Sequence, residues 1–494
     1  MADFDLAIIG GGINGAGIAR DAAGRGLKVA MFEQNDLASG TSSASSKLIH
    51  GGLRYLEHGA LRLVRAALSE REVLLRMAPH LIRPLRFVLP LDGASRSPIV
   101  LRLGLFVYDL IGHRTILPGT RPVDLVTGEA GLPLKRRFHH GYEYSDCFAD
   151  DARLVVVNAV DAAERGAVIR TRTRCVRAER GDEWRLILNA HGVRDVVTAR
   201  VLVNAAGAWV ETVAETVLQQ APARRLRLDK GSHIVVRRLY EHDRAYILQA
   251  ADGRVVFAIP FQRDYTLIGT TDQSFSGDPA AVAPSKDEID YLCGVINDYF
   301  RAAIGAADVV WTYAGVRSLY DDGARKPQDI GRDYALILDK NFGQAPLLTV
   351  YGGKLTTYRR LAEDTLARLS HFFPASQPWT ANSSLPGGDF VYDGAAALIA
   401  RTQRQWPFLS DDHARRLVAA YGTRVEDVLT NATGLDDLGI CFGADLTATE
   451  VRYLMTKEWA QTAEDVLWRR SKLGLRFSES ERSALELFMA QPHA

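Results

Sequence analysis

Three glycines near the start of the chain have the spacing of a phosphate-binding turn. Gly10, Gly12 and Gly15 lie in Ile9-Gly10-Gly11-Gly12-Ile13-Asn14-Gly15 and match G-x-G-x-x-G. In such a turn the first glycine permits the tight bend and the second lets a pyrophosphate approach the backbone. The third lets helix and strand pack closely. An acid, Glu33, stands eighteen residues beyond Gly15, where a carboxylate accepts hydrogen bonds from adenosine ribose hydroxyls. Together they fit a dinucleotide with an unphosphorylated adenosine ribose, FAD or NAD rather than NADP. A ligand-free turn and a solvated surface acid are the plainer alternatives. The run Ser39-Gly40-Thr41-Ser42-Ser43-Ala44-Ser45-Ser46-Lys47 is small and polar, and Leu48-Ile49-His50-Gly51-Gly52 follows at once. Small residues give close backbone approach, as a long dinucleotide with a deeply placed ring system needs. The alternative is a flexible Ser-rich linker.

These residues need elements to hold them. Asp5 to Ile9 reads as a strand and Ala16 to Ala23 as a helix, with a second strand at Lys28 to Phe32, so the glycines sit in a strand-turn-helix context. Val201 to Asn204 ends in Ala205-Ala206-Gly207, and Leu347 to Tyr351 runs into Gly352-Gly353 before a helix expected near Leu355. Both read as buried parallel strands meeting a ligand. Ser232 to Val236, Val255 to Ile259 and Tyr265 to Gly269 alternate like strands of a separate sheet. Helical periodicity dominates from Ala395 to Phe488. The expected fold is α/β and α+β. A discontinuous Rossmann-like domain covers 1–78, 148–228 and 346–372. An antiparallel-sheet domain covers 79–147 and 229–345, and a helical C-terminal domain covers 385–494.

Composition narrows the function classes. Sixty Lys and Arg against 59 Asp and Glu leave a net charge of +1, which argues against nucleic acid held by bulk charge. Acids at Asp3 and Asp5, where a leader would be basic, point to a cytoplasmic chain. Four scattered cysteines form no C-x-x-C pair, so neither a disulfide framework nor structural zinc is expected.

Two long signatures, Ile9 to Asp21 with Arg25-Gly26 and Gly352-Gly353-Lys354-Leu355-Thr356-Thr357-Tyr358-Arg359-Arg360-Leu361-Ala362, carry a resemblance. The sequence resembles the flavin-dependent glycerol-3-phosphate dehydrogenases of the glycine oxidase and D-amino-acid oxidase superfamily. His50 to Leu56, Lys230 to His233, Gly269 to Asp272 and Ala314 to Arg317 are similar to family segments too. With no EF-hand loop or transit peptide, it resembles the bacterial form.

The resemblance implies FAD, sn-glycerol 3-phosphate as substrate, and electrons passed to ubiquinone or menaquinone at the inner face of the cell membrane, with peripheral attachment. A homodimer is one candidate assembly, and no metal is expected. The implied cofactor contacts are Gly10, Gly12, Ile13, Asn14, Gly15, Glu33, Thr41, Ser42, Ser43, Ser46, Lys47, Leu48, His50, Gly51 and Gly52. Further along they are Val176, Ala206, Gly207, Gly353, Lys354, Leu355 and Thr356. A phosphorylated substrate calls for cations; the candidates are Arg54, Arg317, Arg332 and Lys354, with Arg359 and Arg360 weaker. Hydride loss from an alcohol also calls for a base. His233 is favoured and His50 is the rival; Tyr55 would line the pocket and Asp272 would orient a basic partner. His233, Arg317 and Lys354 form the expected catalytic set.

Other readings stay open: an oxidase using oxygen, an amine or amino-acid oxidase, and a non-catalytic flavin-binding redox sensor. For the membrane contact, Ala60 to Met77 is basic and amphipathic, and Pro98 to Ile111 is unusually apolar. Core packing is the plainer reading of each.

Overall fold

The structure, a computed structural model, describes residues 2–52, 61–91, 98–111, 116–320, 334–340 and 342–491. Its first sheet has β1 (Phe4–Ile9) near the centre, parallel to β2 (Val29–Phe32) on one side and β10 (Val193–Asn204) on the other. Beyond β2 lies β7 (Val168–Arg170), and beyond β10 lie β18 (Leu347–Tyr351) and then β17 (Ala335–Asp339). Leu6 to Ile9 of β1 are all buried without alternation, as in a parallel strand covered on both faces. On one face α1 (Ile13–Gly24) packs with α4 (Asp151–Glu164) and α6 (Tyr358–Arg368) in the largest core cluster. The hairpin of β8 (Thr173–Arg180) and β9 (Trp184–Ala190) extends β10 and supplies Trp184 to the core on the opposite face.

The second sheet has ten strands among the described residues, including the short β3 (Leu48–Ile49), β5 (Arg121–Asp124) and β15 (Gln273–Ser274). At its centre are β11 (Leu226–Arg237), β14 (Tyr265–Gly269), β13 (Val255–Phe261) and β12 (Ala245–Gln249), followed by β4 (Ile82–Leu91) and β6 (His140–Ala149). The long antiparallel partner of β11 is β16 (Val309–Tyr320). One face is covered by α5 (Lys286–Tyr299). The other is covered by α2 (Leu61–Met77) and α3 (Pro98–Ile111) through Val64, Leu68, Leu105 and Tyr108. The C-terminal helices, among them Asp411–Tyr421, Ala448–Lys457 and Glu479–Met489, enclose their own core and a two-stranded hairpin at Cys441–Gly443 and Leu446–Thr447.

Several expectations need adjusting. Ala335–Asp339 joins the first sheet although it lies in the segment expected for the second, and Leu48–Ile49 pairs with β6 in the second sheet. The last helix of the first domain begins at Tyr358 rather than near Leu355, because Thr357 N–H closes a turn onto the Lys354 carbonyl, 3.1 Å away. Helix α2 is a packing helix: Glu70, Arg71 and Glu72 are all buried, with Arg71 ion-paired to Asp146 at 2.7 Å. On α3, Leu105 is buried while Phe106 and Leu110 face outward. No helix among the described residues is long and apolar enough to cross a membrane.

Candidate active site

One cavity of about 1320 Å³ runs from the carboxyl edge of the first sheet to the face of the second. That exceeds the roughly 300–1,000 Å³ of ordinary small-ligand sites and leaves room for a long ligand with a second one beyond it. Strand β1 ends at the glycine turn. Gly10 has φ +114°, and a Cβ there would stand 2.6 Å from the Ala205 carbonyl oxygen at the end of β10. A Cβ on Gly15 would stand 1.9 Å from the Gly10 oxygen, so Gly15 serves helix packing and lies under the turn. Gly12 instead faces the cavity, with only Ser42 Oγ near a hypothetical Cβ, at 3.1 Å.

Glu33 ends β2 beside this turn. Its carboxylate accepts from Gly11 N–H at 2.7 Å and Asn35 N–H at 2.8 Å. Burial nevertheless pushes its pKa above the ordinary value, against those two amides. Ser42 Oγ accepts from Ile13 N–H at 3.0 Å, tying the serine-rich loop to the start of α1. Asn14 donates to the Gly352 carbonyl at 3.0 Å, joining the two glycine signatures across 338 residues. Its Oδ1 is buried and has no hydrogen-bond partner within the protein.

At the other end β11 and β16 run in register, with Gly231 opposite Gly315 and His233 opposite Tyr313. Strand alternation puts Trp311, Tyr313, Gly315 and Arg317 on one face of β16. Gly315 lets the serine-rich loop approach, since a Cβ there would meet Ala44 at 2.9 Å. His233 stacks on Tyr313 at 4.6 Å between ring centres, and its Nε2 meets Ser46 Oγ at 2.8 Å. Burial first, then the cations Lys47 and Arg317, hold its pKa well below that of an ordinary histidine. The ring is therefore neutral at pH 7. Arg317 donates to the Thr271 carbonyl at 3.2 Å and lies 3.8 Å from Asp272. Lys354 lines the same cavity from the turn after Gly352 and Gly353, both at positive φ.

Beneath this end sits Glu288, the N3 residue of the capping box Ser285-x-x-Glu288 that starts α5. Its Oε1 accepts from Ser232 Oγ at 2.8 Å and Thr271 Oγ1 at 2.9 Å. Its Oε2 meets Lys230 Nζ at 2.6 Å and Ser285 N–H at 2.8 Å. This one carboxylate fixes the strand carrying His233 against the turn that holds Arg317. Burial alone would raise its pKa, but Lys230 and the hydrogen bonds outweigh that and bring it down to about 2.

The expected site residues separate into groups. Gly10, Gly12, Ile13, Asn14, Glu33, Thr41, Ser42, Ser43, Ser46, Leu48, His50, Gly52, Ala206, Gly207, Gly353, Lys354, Leu355 and Thr356 line the cavity, as do His233, Asp272 and Arg317. Three do not, besides Gly15. Lys47 is buried, with its ammonium on Asp151 Oδ1 at 2.6 Å and the Ser43 carbonyl at 3.0 Å. Gly51 gives its N–H to Tyr108 at 2.9 Å. At β8 the wall is made by Thr173, Arg174 and Cys175, with Val176 falling at the irregularity between Cys175 and Arg177. Arg359 is buried between Glu70 and Glu363, and Arg360 is exposed beside Asp364. Arg54, Tyr55 and Arg332 lie outside the described residues.

The structure adds Trp311, Tyr313, Glu288 and the C-terminal pair Trp468 and Arg469. The period-two spacing back from Arg317 was the available signal for Tyr313 and Trp311, and Ser-x-x-Glu was the signal for Glu288.

A glycine turn on a parallel sheet with an acid at the end of the neighbouring strand has the architecture of a dinucleotide site, and a histidine beside a cation in the same cavity suits an oxidoreductase. The second glycine signature and the closed serine loop suit a flavin: the backbone is open at Gly12 and at Gly207, which has φ +58° and nothing near a Cβ. Asn14 Oδ1 also faces no protein donor. Comparison with known proteins agrees. A family model described as FAD dependent oxidoreductase matches residues 5–359, and one described as C-terminal domain of alpha-glycerophosphate oxidase matches 378–490. A glycerol-3-phosphate dehydrogenase of Pseudomonas aeruginosa is 51% identical over 493 residues, 99% of this chain and 96% of that protein. A D-erythritol 1-phosphate dehydrogenase of Brucella abortus is 48% identical over 487 residues, 97% of this chain and 96% of that protein. The structure of a glycerol-3-phosphate dehydrogenase from Bacillus halodurans complexed with FAD superposes with a TM-score of 0.75 at 28% identity. It covers 95% of this chain and 86% of that one. The chain belongs to the FAD-dependent oxidoreductase family, in the branch that holds the glycerol-3-phosphate dehydrogenases.

Proposed function

We propose that the protein oxidises sn-glycerol 3-phosphate to dihydroxyacetone phosphate with FAD as cofactor and passes the electrons to a membrane quinone. The observation that carries this reading is that His233, Arg317 and Lys354 line the same cavity as the glycine turn. FAD, when bound, supplies the acceptor for the hydride that leaves the alcohol carbon. The chain does the rest. Arg317 and Lys354 bind the phosphate, Arg317 as a planar fork and Lys354 as a compact charge. His233, held by Tyr313 and Ser46, accepts the hydroxyl proton. Its lowered pKa leaves the ring unprotonated before substrate binds. The buried wall around it excludes water from the reacting carbon.

The Brucella abortus relative supports a second reading, in which the substrate is a longer polyol phosphate such as D-erythritol 1-phosphate. Anaerobic mixing with each phosphate ester separates the two, with the visible flavin band followed over time. Bleaching by sn-glycerol 3-phosphate at a higher kcat/KM supports the first; a preference for the four-carbon ester supports the second. Bleaching by neither, or by a D-amino acid, refutes both. A quinone analogue that reoxidises the flavin faster than oxygen does supports the quinone route, and rapid peroxide formation supports an oxidase. For membrane contact, the outward Phe106 and Leu110 on α3 make that helix the better of the two segments considered.

A further inference from the structure

The C-terminal domain reaches the cavity. Its turn of helix at Asp465–Ser471 contributes Trp468 and Arg469 to the wall, more than four hundred residues from the glycine turn. Arg470 is fully buried and grips buried Asp36 with both terminal guanidinium nitrogens, Nη1 to Oδ2 at 2.7 Å and Nη2 to Oδ1 at 2.8 Å. Arg469 adds Nε to the same Oδ2 at 2.6 Å. Asp36 opens the loop that runs to Lys47, and Ala38, two residues on, donates its N–H to the Gly11 carbonyl at 3.1 Å. Ser42 of that loop holds Ile13 N–H. The loop covering the phosphate-binding turn is thus tethered at its first residue to the C-terminal domain.

A second hold lies at the loop's far end. Trp468 stacks on Trp311 at 4.4 Å, Trp311 meets Tyr313 at 4.9 Å, and Tyr313 OH donates to the Ser45 carbonyl at 2.8 Å. Gly474 makes room for the Trp468 ring, since a Cβ there would stand 2.5 Å from it. The C-terminal domain thus holds the loop directly at Asp36 and, at Ser45, through Trp311 and Tyr313 of β16.

We propose that the C-terminal domain is a flavin clamp: it holds the loop 36–47 closed over the dinucleotide and thereby sets how slowly FAD leaves. The inference rests on FAD being the occupant of the cavity. Asp36, Arg470 and Trp468 are positioning residues for the cofactor, acting through the loop. Because coupling between two events is reciprocal, bound FAD must also tighten the C-terminal domain where it meets the loop.

The test compares three variants of the full-length holoprotein. Arg470→Lys keeps the charge but loses the paired grip on Asp36, and Trp468→Ala leaves every ion pair in place. Arg416→Gln is the control, since it breaks the buried Arg416–Glu450 pair inside the C-terminal domain, away from the loop. FAD release is read as the rise of free-flavin fluorescence after dilution. Expected is release at least tenfold faster in Arg470→Lys and Trp468→Ala and near the wild-type rate in Arg416→Gln, with FAD slowing amide exchange over 464–472. Should Arg470→Lys fail to fold, Trp468→Ala decides. Stoichiometric FAD released at the wild-type rate from Trp468→Ala overturns the clamp alone. Equal acceleration in Arg416→Gln also overturns it, because general loosening would then explain the effect. A wild-type chain that takes up no FAD overturns the clamp and the cofactor reading together.

Discussion

Replacing Glu288 by Gln tests whether one carboxylate holds the substrate end of the cavity together. The wild-type carboxyl sits at about 2 against 4.5 for the free side chain. At about 1.36 kcal/mol per pH unit, that difference is about 3 kcal/mol of stability at neutral pH. Lys230 is partly open to water, so screening brings the expected loss nearer to ~2 kcal/mol. In the variant the amide oxygen can still accept from Ser232 and Thr271, but the NH2 group would face Lys230 Nζ and Ser285 N–H, donors opposed to donors. Because the folded-state pKa is depressed, the stabilisation is complete above the unfolded value and fades as pH falls from about 4.5 toward 2. Thermal unfolding should therefore show Glu288→Gln below wild type by a few degrees at pH 7, with the gap narrowing by pH 4. In steady state, KM for the phosphate ester should rise about tenfold, equivalent to about 1.4 kcal/mol of binding, since losing the Lys230 and Ser285 contacts loosens the turn whose Thr271 carbonyl holds Arg317, while FAD content stays stoichiometric. A wild-type KM would refute the positioning argument, and an undiminished thermal gap at pH 4 would refute the charge argument.

Other perturbations separate the remaining parts. His233→Ala should slow flavin reduction by about 10²–10⁴-fold without loss of FAD; stopped-flow reduction at the wild-type rate would remove it from the proton transfer. Gly15→Ala puts a methyl group 1.9 Å from the Gly10 oxygen, so the purified protein should carry little FAD, and a full flavin spectrum would contradict the packing account. Phe106→Asp with Leu110→Asp should leave folding and dye-linked turnover intact but abolish pelleting with anionic vesicles; retained pelleting would exclude α3. Leu105→Asp should instead unfold the region, because that side chain is fully buried, with a cost of at least ~3 kcal/mol seen as a lowered melting temperature.

The first sheet was legible because its strands are short apolar runs ending in glycines, and such local pattern reports local structure. Glu33 was legible for the same reason, being a strand end at a fixed distance from the turn. Lys47 was less legible: the resemblance implies a cofactor contact, and only the fold shows that its ammonium lies on Asp151, 104 residues away. Arg71 shows the same limit: it looks like part of a basic interfacial face until Asp146 on β6 is seen to neutralise it. Trp468 and Arg469 could not be read at all, since periodicity shows that they are helical and says nothing about which distant loop they meet. Strand Val309–Tyr320 lies between these cases, its inward face being set by alternation once Arg317 is placed.

The order of strands in the first sheet has a consequence for biosynthesis. The strand next to β10 on the side away from β1 is β18, which begins at Leu347, and Gly352, the acceptor for Asn14, comes later still. Roughly 340 residues separate the end of β1 from that point, which at ribosomal speeds of about 5–20 residues per second is on the order of half a minute. From the synthesis of β10 until β18 emerges, the nascent chain carries an incomplete parallel sheet with β10 open along one apolar edge. The dinucleotide site cannot be finished until the second glycine signature emerges from the ribosome. Flavin capture is therefore a late event in the life of the polypeptide, and the half-made sheet lacks the protection its cofactor would give.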